Sequence, residues 1–323
     1  MRSARGVVLA VFEVYGSLRS LMFSIAYQMT ASVSDAEDLV QEAFLRYERA
    51  LADGVQIESP KAYLSAVVTR LAIDQLRSAR VRRETYVGQW LPEPLLTNGD
   101  DDPAAHAEQA DSLSMAFLLL LERLSPVERA VFLLHDVLGY GFNEIAEIVG
   151  KTEGNCRQVA LRARKRIQSD RPRFEASEHE RDELASRFFA AVQDGDLDSL
   201  VEMLAADVVV YGDGGGKAPQ WMVPIVGVDR VARLFATMGR QMTEAGIKIE
   251  LRHVNRQPGA VVLDPAGRLI NVYVLDIADG VVQTIRSVIN PDKLRHLGPL
   301  ADVHALIREH RRGGASRPST GDS

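Results

Sequence analysis

FNEIAEIVGKTEGNCRQVALRARKRI, residues Phe142 to Ile167, holds a short helix with an apolar face, a turn carrying Gly150 and a second, strongly basic helix. That order is the signature of a helix-turn-helix, whose second helix enters the major groove of DNA. In the second helix Cys156, Ala160, Ala163 and Ile167 recur at steps of three and four and form an inner stripe, while Asn155, Gln158, Arg162 and Lys165 share the outward face. Asn and Gln pair with adenine edges and Arg with guanine edges, so Glu153, Asn155 and Gln158 are expected to read bases, with Arg157 on a base or a phosphate. Arg162, Arg164, Lys165 and Arg166 suit phosphate contacts.

A charge run is usually only a solvated face. Here residues 151–173 hold eight Lys or Arg against two acids, Glu153 and Asp170, in a chain of formal net charge -6, so the positive charge is concentrated. The supporting helix is also specified locally, because Ser125-Pro126-Val127-Glu128 is a capping box with proline at the first helical position. The overall acidity argues against a nonspecific nucleic-acid coat and puts DNA contact on local patches within a larger assembly.

A length of 323 residues predicts two or three domains, each with its own core. Residues 7–84 read as a helical domain. Ser34-Asp35-Ala36-Glu37-Asp38 opens a helix with acids at its positive end, and Leu39, Val40, Ala43, Phe44 and Tyr47 give it an apolar stripe. The clustered acids Asp35, Glu37, Asp38 and Glu42 are either a solvated face or a surface for a basic protein partner. After a loop over 52–59, a helix runs from Ser59-Pro60 to about Arg83. Its first half is apolar almost all round; its second half carries Arg70, Arg77 and Arg80 on one side, with Asp74 placed to pair along the helix.

Residues 85–111 contain Trp90-Leu91-Pro92-Glu93-Pro94 and Thr97-Asn98-Gly99-Asp100, cannot be helical throughout, and read as a linker. Residues 112–170 form a second helical domain. From 178 to 297 the pattern is mixed: two short helices, a strand over 208–211, a helix over 228–241, and strands over 247–255, 259–263, 269–278 and 281–288 joined by turns at 264–267 and 279–280. The reading is a small α+β domain with a curved antiparallel meander, followed by a tail over 298–323 whose last part, 313–323, is expected to be disordered.

The single cysteine, Cys156, excludes an intrachain disulfide and reads as a small buried thiol. The N-terminal apolar run is interrupted by Glu13 and makes a poor signal peptide, and no run reaches the length of a membrane span. The expectation is a cytoplasmic protein without a membrane partner.

Two helical DNA-type modules joined by an acidic linker, the first carrying Asp35-Ala36-Glu37-Asp38-Leu39-Val40-Gln41-Glu42-Ala43-Phe44 and the second ending in the basic reader, resemble an extracytoplasmic-function sigma factor of bacterial RNA polymerase. The appended domain looks like the SnoaL-like cone fold. The motifs Trp90-Leu91-Pro92-Glu93-Pro94, Asp213-Gly214-Gly215-Gly216-Lys217 and Asn290-Pro291-Asp292-Lys293-Leu294 resemble those of the subgroup with this extension. The fold implied is two all-α sigma domains, the second with the helix-turn-helix, followed by an α+β cone domain. By resemblance, core polymerase is the partner through its beta-prime clamp and beta flap, with Asp35, Asp38, Gln41 and Glu42 on the clamp. Tyr63, Arg70, Asp74, Arg77 and Arg80 match the helix that reads and opens the minus-ten element of promoter DNA, with the loop 54–59 as a pocket for a flipped base; the helix at 152–168 matches the minus-thirty-five reader. The C-terminal domain is implied to act as a tethered regulator in place of a separate anti-sigma protein.

Three competing readings stand beside this one. Asp207, Tyr211, Asp213, Trp221, His253, Asp276 and Arg286 could converge in an enzymatic pocket, but no nucleophile motif or HExxH-type spacing is present, so neither catalysis, a metal nor a cofactor is expected. A small-molecule ligand in the C-terminal pocket is a candidate partner. An autonomous repressor would leave the acidic helix and the arginine helix without employment. Asp292 and Lys293 either pair across a docking surface or with each other.

Overall fold

In this computed structural model residues 4–97, 113–168, 177–306 and 308 are described, side chains excepted at 4–11, 79–84 and 168. The chain forms two compact units, Met1–Thr85 with Leu95–Arg173, and Tyr86–Pro94 with Phe174–Ser323. Among the described residues no helix is long and apolar enough to cross a membrane.

The first unit begins with α1 (Ala4–Thr30), α2 (Val33–Ala52) and α3 (Pro60–Glu84). The expected acid-led helix starts slightly earlier than its acids suggest, because the side chain of Ser32 accepts from the Asp35 amide and caps α2. The stripe Leu39, Val40, Ala43, Phe44 and Tyr47 is buried, against a bundle core that includes Met22, Phe23 and Tyr27. The first half of α3 is apolar nearly all round because it is buried on more than one side: Leu64 and Val68 are inaccessible, and Ala66 packs against the core of the next module.

That module comprises α4 (Met115–Leu121), α5 (Pro126–Phe132), a π-helical turn (Leu133–Val137), α6 (Phe142–Val149) and α7 (Glu153–Gln168). Gly150 ends α6 at φ 66°, the left-handed conformation that turns the chain into α7. Ser125 and Glu128 cap α5 reciprocally, with Pro126 in its first turn. Burial pushes the Glu128 carboxyl up, but its bonds from Ser125 and the nearby Arg166 outweigh this and hold its pKa below the usual value. Its contribution to stability is therefore present above the unfolded carboxylate pKa and lost as pH falls through the lower folded value. Ser125→Ala should cost about 1 kcal/mol, read as a lower urea midpoint at unchanged slope, with part of that acid-side protection gone; an unshifted midpoint excludes the cap as a stabilising element.

The second unit has α8 (Glu178–Asp194), α9 (Leu197–Met203), β1 (Leu204–Asp213), β2 (Ile225–Val226), α10 (Val228–Glu244), β3 (Lys248–Val254), β4 (Gln257–Leu263), β5 (Leu269–Ala278), β6 (Val281–Val288) and α11 (Pro291–Leu294). The sheet order is β2-β1-β6-β5-β4-β3. Strands β3 to β6 form the expected antiparallel meander, but the sheet as a whole is mixed, because β1 lies parallel to β6. After α10 the chain enters at the far edge and meanders back, so β6 reaches β1 running in the same direction. Register shifts in β1, β4 and β5 bend the strands. The core packs Phe188, Phe189, Phe235 and Tyr273 ring to ring between the helices and the sheet.

Candidate nucleic-acid interface and a buried linker site

On α7, Cys156, Val159, Ala160, Ala163 and Ile167 are buried, while Glu153, Asn155, Arg157, Gln158, Arg162 and Lys165 are exposed. The inner stripe therefore anchors the helix and leaves the expected reading face on the surface. Two of the arginines read from sequence as phosphate contacts are engaged inside their own module. Arg164 pairs with Asp136 at 2.6 Å and Arg166 with Glu128 at 2.8 Å, so they brace α7 against the preceding helices. Arg157 pairs with Glu153 at 2.8 Å and lies over the Phe142 ring.

The second basic face is on α3. Arg77 pairs with Asp74 at 3.1 Å, Tyr63 is half-buried with its ring 5.9 Å from that of Tyr47, and the side chain of Arg80 lies outside the described residues. Arg70 does not pair along the helix as its spacing suggested. Its guanidinium donates from Nε to the Ile148 carbonyl at 2.8 Å and from Nη2 to the Glu147 carbonyl at 2.7 Å. A cation there meets the unsatisfied carbonyls and negative dipole end of α6, which outcompete a solvated carboxylate one turn away. Beside it the Ser65 and Tyr140 hydroxyls share a hydrogen bond at 2.7 Å, and the Lys61 ammonium sits over the Tyr140 ring. Arg129 of α5, only 2% exposed, donates to the Met29 carbonyl at the end of α1 and to Glu122. Burial pushes its pKa down to about 9, which leaves it a cation at neutral pH. The two helical modules are thus packed on each other, through Ser65, Arg129 and Tyr140 that sequence reasoning did not single out. On α2, Asp38 and Gln41 are exposed, Asp35 is half-buried beside the cap, and Glu42 pairs with Arg46 at 2.7 Å. The loop at 54–59 is largely exposed.

The segment read as a linker behaves differently in its two halves. Residues 98–111 lie outside the described residues, whereas Tyr86–Pro94 belongs to the C-terminal unit, with Leu91, Pro92, Glu93 and Pro94 buried. At its centre is Asp213, at the end of β1 and fully inaccessible. This carboxylate accepts from the Tyr86 hydroxyl at 2.5 Å, the Leu91 amide at 2.8 Å and the Lys293 ammonium at 2.7 Å. Lys293 also donates to the Leu91 carbonyl and lies 4.4 Å from the Trp90 ring centre. The Asn290 amide donates to the Tyr86 hydroxyl, the Gln89 side chain accepts from the Gly212 amide, and His296 meets the Pro94 carbonyl. Gly215, at φ 59°, lies where a Cβ would overlap the Asn290 amide, and a Cβ on Gly216 would come 3.1 Å from Val87. The glycines of Asp213–Lys217 are what let this loop close on the segment. Asp292 and Lys293 do not pair with each other: Asp292 faces Lys217 and Arg295, while Lys293 turns inward to Asp213. Tyr86, Gln89, Asn290 and Lys293 converge from separated sequence; Asn290 and Lys293 lie in a motif read from sequence, whereas Tyr86 and Gln89 fall outside all three motifs and were missed.

The seven residues weighed for an enzymatic pocket do not form one cluster, although Tyr211 is in register with Arg286, which pairs with Asp276. Asp207 is exposed, Asp213 holds the linker, His253 pairs with Asp182 at 2.8 Å, and Asp276 is tied to Arg286 and Gln257. Trp221 packs against the core.

Sequence families matching the chain are Sigma-70 region 2 over residues 14–82, Sigma-70, region 4 over 114–167, and the SnoaL-like domain over 185–288. Among relatives, the ECF RNA polymerase sigma factor SigJ of Mycobacterium tuberculosis is 38% identical over 292 residues, 86% of this chain and 91% of that one. The ECF RNA polymerase sigma factor SigG of the same organism is 30% identical over 291 residues, 80% of this chain and 76% of that one. The crystal structure of M. tuberculosis extracytoplasmic function sigma factor SigJ superposes with a TM-score of 0.70 at 36% identity, covering 89% of this chain and 99% of that one. With two helical DNA-type modules, a SnoaL-like domain behind them and relatives spanning nearly the whole length, the chain belongs to the extracytoplasmic-function family of RNA polymerase sigma factors.

Proposed function

We propose that this sigma factor, which directs RNA polymerase to specific promoters for transcription initiation, rests in a closed form and that its C-terminal domain regulates it by gripping the segment between the two DNA modules. The observation that carries the reading is Asp213, a buried carboxylate of the C-terminal domain whose donors include Tyr86 and Leu91 of that segment. The domain acts as a holder in the cytoplasm and not as an enzyme: its buried carboxylate Asp213 is committed to the linker, and Asp276 is tied to Arg286 and Gln257. It takes the place of a separate anti-sigma partner.

In the open form Glu153, Asn155, Arg157 and Gln158 read the minus-thirty-five element, and Arg162 and Lys165 hold its phosphates. Tyr63, Arg70, Arg77 and Arg80 contact the minus-ten element, Asp74 positions Arg77, and Asp35, Asp38, Gln41 and Glu42 meet the polymerase. Transcription reconstituted with core polymerase tests this. Gln158→Ala should change upstream base preference by about 1–3 kcal/mol, while Lys165→Ala should weaken every promoter alike and lower the salt slope by about one. Equal losses on all sequences from both variants remove these roles. Tight duplex binding with no association to core polymerase points instead to an autonomous repressor.

A further inference from the structure

Residues 299–301 lie along the start of β5: the Leu269 amide donates to the Pro299 carbonyl at 2.8 Å and the Ala301 amide to the Leu269 carbonyl at 2.9 Å. Between this segment, β5 and α11 is a cavity of about 150 Å³. Its walls are apolar, with Leu269, Ile270, Ile289, Leu294, Leu300 and Val303, and its rim carries Lys217, Asp302 and His304. A cavity of this volume lined by aliphatic side chains admits a guest about the size of benzene. The rim charges are already compensated. Lys217 is paired with Asp292, and Asp302 accepts from the Ala305 amide at 2.9 Å and faces Arg308. A charged guest would have to displace one of these partners; a neutral one enters without doing so.

The cavity shares a wall with the linker site. On α11, Pro291 and Leu294 line the cavity, whereas Lys293 and the capping residue Asn290 reach Tyr86, Asp213 and Leu91. The Lys217 carbonyl meets His304 at the rim while the Lys217 ammonium holds Asp292, the neighbour of Lys293. We propose that this cavity is a receptor site for a small neutral molecule of about one ring, bearing at most one hydrogen-bonding group, and that its occupation tightens the hold of α11 on the linker. The inference rests on the reading of the C-terminal domain as the linker's holder. Added guest contacts stabilise the arrangement in which α11 is docked, because an empty apolar wall lacks partner atoms.

Phenol is the probe, added to the full chain, with benzoate and benzylamine as charged controls. Phenol should bind saturably, shift amide signals of Leu269, Leu294 and Val303, and slow exchange of the Leu91 amide by up to about a hundredfold at a concentration 100 times its Kd. Benzoate and benzylamine should bind at least about tenfold more weakly, and an equal affinity for either overturns the neutral class. Val303→Trp, on the terminal segment and away from the sheet, should fill the cavity and abolish the response, as should the milder Ala301→Met. No saturable binding, or binding unaltered in both variants, overturns the site. Binding at Leu269 and Leu294 with Leu91 unchanged overturns the coupling. The linker reading itself is decided separately, by Asp213→Ala without any probe.

Discussion

Asp213→Ala is expected to free residues 86–94 from the C-terminal domain and to speed exchange of the Leu91 amide by at least about a hundredfold. The wild-type carboxylate is fully buried and takes three donors, two of them from the linker. Its removal takes a carboxylate away from the Lys293 ammonium, whose side chain is 8% exposed and which also donates to the Leu91 carbonyl and lies over the Tyr86 and Trp90 rings. Breaking a buried pair from one side costs about 3–5 kcal/mol, since the remaining charge stays desolvated. At 1.4 kcal/mol per power of ten, that is two to three and a half decades in the local opening equilibrium. The meander amides of β4 and β5, which lie on other strands, should keep their protection. A variant in which Leu91 exchanges as slowly as in the native chain would mean that the linker is held by something other than Asp213. The site also has a defined pH window. Burial first, then the bond to Asp213 and its charge, push the Tyr86 hydroxyl above its usual 10.0. A raised folded pKa means stability fully present below the unfolded value and lost as pH climbs past it. The contribution of Tyr86 to the hold should therefore be constant through neutral pH and be lost only above about pH 10.

Much of the fold was legible because it is written locally. The Gly150 turn and the stripe Cys156, Ala160, Ala163 and Ile167 specify the helix-turn-helix, and the turns at 264–267 and 279–280 set β5 and β6 at their observed ends. The parallel pairing of β1 with β6 was not legible, since it joins strands some 80 residues apart and depends on where the meander starts. Residues 86–94 read as a linker because Gly88, Pro92 and Pro94 break every period; their order comes from tertiary partners, chiefly a carboxylate more than 120 residues away. Likewise the apolar girth of α3 announced burial on several sides but not the identity of the second partner, and Arg70 looked like a member of a basic stripe until the end of α6 supplied its acceptors.

On addition of core polymerase and promoter DNA, labels at Ser78 of α3 and Asn143 of α6 should move from within about 40 Å to roughly 85 Å apart. The larger distance follows from elements centred about 25 base pairs apart at 3.4 Å each. The smaller follows from compactness: about 160 residues have a radius of gyration near 15 Å and are about 40 Å across. Two modules joined by Arg70 on the Ile148 and Glu147 carbonyls cannot span the larger distance, so reading both elements requires that interface to part. Introduced cysteines at both positions, which are exposed, can be labelled selectively because the native thiol of Cys156 is buried and burial raises its pKa. Opening is not free. Each charge-assisted bond is worth about 1.5–3 kcal/mol, and turning a closed population from 99:1 to 1:99 needs a partner that prefers the open form by about 5.5 kcal/mol. A large polymerase surface can supply that preference; duplex DNA contacting α7 alone gains little from separation, so duplex by itself should leave the labels close. Arg70→Ala loses both bonds and should raise the open-to-closed ratio of the free protein about a hundredfold to ten-thousandfold. Labels that remain within about 40 Å in an actively transcribing complex would show that the packed modules are the working form, and the closed resting state would have to be abandoned.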